Sequence, residues 1–252
     1  NWVDFSTVAD RNREYDEIAE DLCPVDWSEE SQARTGKVLL ARMGQSKESA
    51  ARFAQVVSGG QHRYQDGLFY GGTSETVARR NLAAILQGRL GHAEHVAIID
   101  FHSGLGECGK GELIAASLLG TSDFTRARSW FGASINPIGT QGADFAKISG
   151  DWLTAVPQLL PHATVTAIAV EFGTVSTLEV LQALRADNWL HNHGDRNGLL
   201  AEEIRAQMTS AFYVDEDRWR EMIVRQSLLV CRQALAGLAD RPAFLQVQAD
   251  DH

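Results

Sequence analysis

Apolar positions along the first third of the chain recur at helical spacing. Tyr15-Asp16-Glu17-Ile18 opens a short helical pattern in a polar, acidic start. From Ser28 to Val57 the apolar set Ala33, Val38, Leu39, Ala41, Phe53, Val56 and Val57 predicts two amphipathic helices with a break near Gly44. Ser58-Gly59-Gly60 stops the second helix, and residues 61–72, bounded by glycines, read as a loop or short hairpin. Helical periodicity returns from Thr73 to Leu90. The pattern then changes. His95 to Phe101 and Ala163 to Phe172 are short apolar runs rich in Val, Ile and Thr, and each closes on glycine, as buried strands do. Thr177 to Trp189 and Trp219 to Leu238 return to helix, and Phe244-Leu245-Gln246-Val247 reads as a last short strand. Strands alternating with helices predict an α/β fold, a mixed, mostly parallel sheet covered by helices on both faces. No internal repeat, low-complexity tract or interdomain linker interrupts the 252 residues, so a single domain is expected.

Composition narrows the function classes. A formal net charge of -10 opposes non-specific attraction to nucleic acid or to an anionic membrane surface. The longest apolar runs, such as Val96-Ala97-Ile98-Ile99, are too short to span a bilayer, and the start carries no signal-peptide pattern. Cys23, Cys108 and Cys231 are scattered, odd in number and free of any CxxC pair, which fits a reducing, cytoplasmic setting.

Chemistry concentrates at the two strand ends. In Ile99-Asp100-Phe101-His102-Ser103-Gly104, a His closes a buried strand at the place where open α/β sheets hold ligands. Asp100 and Ser103 are candidates to fix its tautomer from the second shell. The competing reading is a core histidine bonded to a carbonyl. In Val170-Glu171-Phe172-Gly173-Thr174 a carboxylate ends an apolar strand, where burial without a partner is costly. A general base beside metal-bound water is one reason to keep it there; a helix cap or a structural ion pair is the other.

Strand-His-Ser-Gly followed 69 residues later by strand-Glu-Phe-Gly-Thr resembles the second half of the zinc carboxypeptidases. Three segments, 66–72, 99–106 and 184–191, are similar to a bacterial carboxypeptidase-like branch of that superfamily whose function is unassigned. The resemblance implies a zinc-dependent hydrolase of amide bonds with His102 as a metal ligand and Glu171 as the catalytic carboxylate. Its substrate would be a peptide C-terminus or an N-acyl amino acid. The superfamily's HxxE motif is missing from these residues, and Asn1-Trp2 is similar to the tail of its Asn-Arg-Asn-aromatic segment. By that comparison the chain is the C-terminal portion, with N-terminal strands, two zinc ligands and the substrate-gripping Arg upstream, and with an insertion at about residues 10–75. The alternative is a non-catalytic, carboxypeptidase-like binding domain. The superfamily's substrate-binding Tyr has no counterpart between His102 and Glu171, so Tyr70 or His62 is the candidate substitute. Arg185 is a candidate for the cleft wall or for a buried ion pair.

Other motifs are weaker. Residues 104–111 contain GxxxxGK, but Gly111 stands where a P-loop needs Ser or Thr, and a rim of the active site is the better expectation. His191 and His193 read as a helix C-terminus halted by Gly194 rather than as a metal pair. No Gly-x-Ser-x-Gly elbow is present.

Overall fold

The computed structural model describes residues 2–8, 11–138 and 150–240. The chain is α/β. After a 3-10 turn at Arg13–Glu17 come α1 (Ala19–Leu22), α2 (Glu29–Gly44), α3 (Lys47–Ser58) and α4 (Val77–Leu90). There follow β1 (His95–Cys108), β2 (Gly111–Ala115), α5 (Ser122–Phe131), β3 (Asn136–Pro137), α6 (Trp152–Leu159) and β4 (Thr164–Gly173). The described chain closes with α7 (Thr177–Asn192), α8 (Leu199–Phe212) and α9 (Asp217–Ala239). The expected strand at 244–247 lies outside the described residues.

The sheet order is β1-β4-β2-β3. β1 runs parallel to β4, β2 antiparallel to β4, and β3 parallel to β2. Strand alternation sorts the core into two faces. Ile168, Val170 and Phe172 of β4, with Ala97 and Ile99 of β1, pack against Phe124, Ala127 and Phe131 of α5 and Val230 and Ala234 of α9. Val165 and Ala167, with Val96 and Ile98, meet Leu86 of α4 and Val156 and Leu160 of α6. Full burial of each such side chain contributes roughly 1.5–3 kcal/mol, so β4 is held from both sides. A third cluster joins Tyr15, Ile18 and Leu22 to Leu39 of α2, Phe53, Val56 and Val57 of α3, and Leu181 of α7. The N-terminal helices therefore form a layer resting on α7.

The expected break near Gly44 is the gap between α2 and α3, where Ser46 and Ser49 make a capping box. Within residues 104–111, where a glycine-rich rim of the site is expected, residues 104–108 are strand rather than loop. Those residues continue β1, which crosses the C-terminal end of β4 and returns on its other side as β2. Thr174 N donates to Gly104 O at 3.2 Å before the crossing, and Gly109 N donates to Gly173 O at 2.9 Å after it. Two backbones meet here with nothing between them. A Cβ on Gly173 would overlap the Glu107 carbonyl, and Gly106 adopts φ +108°, which disfavours any residue with a side chain.

Candidate functional site

Parallel register places His102 directly beside Glu171, and Asp100 beside Ala169. Residues 100, 102 and 171 project from the face covered by α4 and α6, because they alternate with the buried set that faces α5 and α9. His102 Nε2 lies 2.9 Å from Asp100 Oδ1, and its Nδ1 lies 3.6 Å from Glu171 Oε2. Both neighbours are acceptors, and only the Asp100 contact is at hydrogen-bond distance, so in the neutral imidazole the proton is assigned to Nε2 and Nδ1 is the bare nitrogen on the Glu171 side. Both carboxylates are shielded, at 17% and 13% side-chain exposure, whereas His102 is half exposed. The site therefore opens to solvent at the imidazole.

Each carboxylate is held at its second oxygen. Glu171 Oε1 accepts from Leu105 N at 3.2 Å, so the crossing segment of β1 fixes the expected catalytic group. Asp100 Oδ2 accepts from the Trp152 indole N–H at 2.7 Å. The imidazole pKa is raised above its ordinary value, chiefly by hydrogen bonding to Glu171 and then by the charge of Asp100, against the opposing effect of burial.

The other candidate residues fare differently. Asp100 stands beside His102 as expected. Ser103 does not; one step along the strand it points to the opposite side, and its hydroxyl donates to Phe212 O at 2.7 Å, tying β1 to the end of α8. Arg185 is buried rather than set in a cleft wall, and its partners among the described residues are neutral groups rather than a carboxylate. It is 1% exposed, donates to Leu22 O, Asp21 O, Thr35 Oγ1 and Gln182 Oε1, and lies over the Trp27 ring. It ties α7 to the N-terminal layer. His62 and Tyr70 belong to the 61–72 loop, which is knit together by the buried Gln61 and anchored by Tyr15 Oη donating to Leu68 O at 3.0 Å. Within it, His62 Nδ1 sits 2.6 Å from Gly72 O, and the ring packs edge-on against Phe5. At the end of α7, Arg196 donates to His191 O at 2.6 Å, and Gly194 N donates to Trp189 O, the helix terminus expected there.

Two further groups join the site from segments whose sequence carried no motif. Glu112 of β2 is the antiparallel partner of Glu171, so both side chains leave the same face. Its Oε1 accepts from Asn136 Nδ2 at 2.8 Å. Trp152 begins α6, where Asp151 caps the helix by accepting from Thr154 N at 2.9 Å. β2, with the sequence Gly111-Glu112-Leu113-Ile114-Ala115, has no polar–apolar alternation to declare it, and nothing local tells that a Trp on a distant helix reaches Asp100.

A zinc ion needs three protein ligands at a catalytic site. Among the described residues no group of three His, Cys, Asp or Glu side chains is disposed to hold a metal. His102 Nδ1 is one suitable donor, and Asp100 is engaged on the opposite nitrogen. The described residues alone do not fit a complete zinc site.

An α/β sheet with a His and a Glu abreast at the ends of two parallel strands defines the class. The chain belongs to the family described as "Protein of unknown function (DUF2817)", whose model matches residues 1–226. No curated protein and no solved structure matches the chain.

Proposed function

We propose that this chain carries the His and Glu half of a zinc-dependent amide hydrolase of the carboxypeptidase type. One observation carries the reading: His102 and Glu171 are register partners at the C-terminal end of a parallel strand pair, with Nδ1 and Oε2 3.6 Å apart. That is where open α/β sheets hold ligands. The resemblance of segments 66–72, 99–106 and 184–191 to carboxypeptidase-like proteins supports the same assignment.

In this reading His102 Nδ1 is one zinc ligand, and the remaining ligands come from residues other than those described. Bound zinc lowers the pKa of a water ligand to about 7. With the metal held there, Glu171, fixed at Oε1 by Leu105 N, would be the group at Oε2 to take a proton from the attacking water and return it to the leaving amine. The substrate is a peptide C-terminus or an N-acyl amino acid, and His62 and Tyr70 are the candidates to contact it.

The test is hydrolysis of blocked dipeptides by an N-terminally extended chain supplied with zinc. Glu171→Gln is expected to lower kcat by at least about 10²-fold, the usual contribution of a positioned acid or base. Undiminished hydrolysis would remove Glu171 from its role. The second reading is a carboxypeptidase-like binding domain without catalysis, consistent with the single metal donor, His102 Nδ1, found among the described residues. Tight one-to-one zinc binding by the 252 residues would count against it.

A further inference from the structure

We propose that Trp152 is a positioning residue, whose indole N–H orients the Asp100 carboxylate and through it locks His102 in the tautomer that leaves Nδ1 bare toward Glu171. The Asp100 side chain has two acceptor oxygens, and each takes one donor. Oδ2 accepts from Trp152 Nε1 at 2.7 Å, and Oδ1 faces His102 Nε2 at 2.9 Å. The terminal torsion of an aspartate is broad and nearly two-fold, so strand geometry alone does not decide where its oxygens point. A fixed donor on one oxygen removes that freedom and aims the other at the imidazole.

The donor is itself well fixed. Trp152 is the first residue of α6, set there by the Asp151 cap. Its ring packs against the Leu86, Val96, Val156, Leu160 and Val165 cluster, between α6 and the sheet. The indole thus spans from a capped, packed helix to the edge strand. β1 has β4 as its neighbour on one side and closes the described sheet on the other. Asp100 and His102, two residues apart on that strand, gain from α6 a support that a second strand would otherwise give. This assignment of the tautomer stands on hydrogen-bond geometry in the metal-free chain. Only its consequence, that Nδ1 is the nitrogen offered to a metal, rests on the proposed function.

Nitrogen-15 NMR of the histidine rings, at alkaline pH where imidazole is neutral and with no metal added, tests the relay. The unsubstituted chain is expected to show His102 as a single Nε2–H form. Trp152→Phe keeps a ring in the cluster and deletes the donor; it is expected to shift His102 to a mixture of both tautomers while His191 and His193 keep their signals. Unchanged His102 signals in that variant would overturn the proposal, as would an Nδ1–H form in the unsubstituted chain. Asp100→Ala gives a second readout, independent of whether Trp152→Phe folds. The Trp152 indole proton is expected to move upfield and exchange faster with solvent, and no change would overturn the contact. A locked tautomer here, together with an N-terminally extended chain that neither binds zinc nor hydrolyses amides, would leave the relay standing and remove the hydrolase reading alone.

Discussion

His102 titrates between two carboxylates, and its behaviour is the most direct residue-scale consequence of the site. Folding raises its pKa above the unfolded value of about 6.5. The protonated imidazole is therefore favoured in the fold. Its contribution to stability is fully present below about pH 6.5 and is lost as pH rises through the folded pKa. Proton NMR of the metal-free chain should place the His102 midpoint above that of an ordinary histidine, and Glu171→Gln should lower it, because Glu171 is the largest cause of the shift. Arg185 poses the opposite case, a cation placed for structure. Arg185→Met would leave the Leu22 and Asp21 carbonyls and the Thr35 hydroxyl without their donor. Each unsatisfied buried group costs about 1–3 kcal/mol, so a loss of about 3 kcal/mol or more is expected in urea denaturation. Burial decides such roles, and burial belongs to the tertiary fold.

At the scale of elements, the crossing of β1 over β4 is the least forgiving feature. Gly173→Ala would drive a Cβ into the Glu107 carbonyl, and backbone cannot move aside as a flexible side chain can. The variant should lose about 3 kcal/mol or more in chemical denaturation, or fail to fold, with helix content surviving better than the sheet. The same crossing carries Leu105 N to Glu171, so a mild distortion there is expected to reach the site before it reaches the core. Several helices could be read from their sequences. The Ser46–Ser49 and Ser176–Glu179 capping boxes start α3 and α7, and apolar spacing marks the faces they bury. α5 carried a comparable signal in the Thr121 cap followed by Phe124, Ala127 and Phe131, although that stretch was not among the expected helices. α6 carries Pro157 inside it and β2 shows no polar–apolar alternation, so neither declares itself by its pattern. Their existence depends on what they pack against.

For the whole molecule, β4 is the centre of stability. It is paired on both sides and buried against helices on both faces, whereas β1 closes one edge of the described sheet. Amide hydrogen exchange should be slowest in β4, with β1 exchanging earlier although it is the longer strand. Equal protection of β1 and β4 would mean that the β1 edge is covered in solution. Among the described residues no helix is long and apolar enough to cross a membrane. The apolar runs at His95–Phe101 and Ala163–Phe172 marked two strands by themselves, because β-branched residues favour the extended backbone; only the second is buried, since β1 lies at the edge of the described sheet with Phe101 exposed. Their endings on His102 and Glu171 marked the candidate site at the same time. The sequence could not decide which strands lie side by side, since pairing depends on contacts far apart along the chain. It could not show that Ser103 turns away while Asp100 turns in, because a strand sends alternate side chains to opposite faces and only packing decides which face is the site. Nor could it bring Trp152 and Glu112 to the pair. Both arrive through tertiary structure, Trp152 by the docking of α6 on the sheet and Glu112 by the turn of β1 over the glycine at the end of β4.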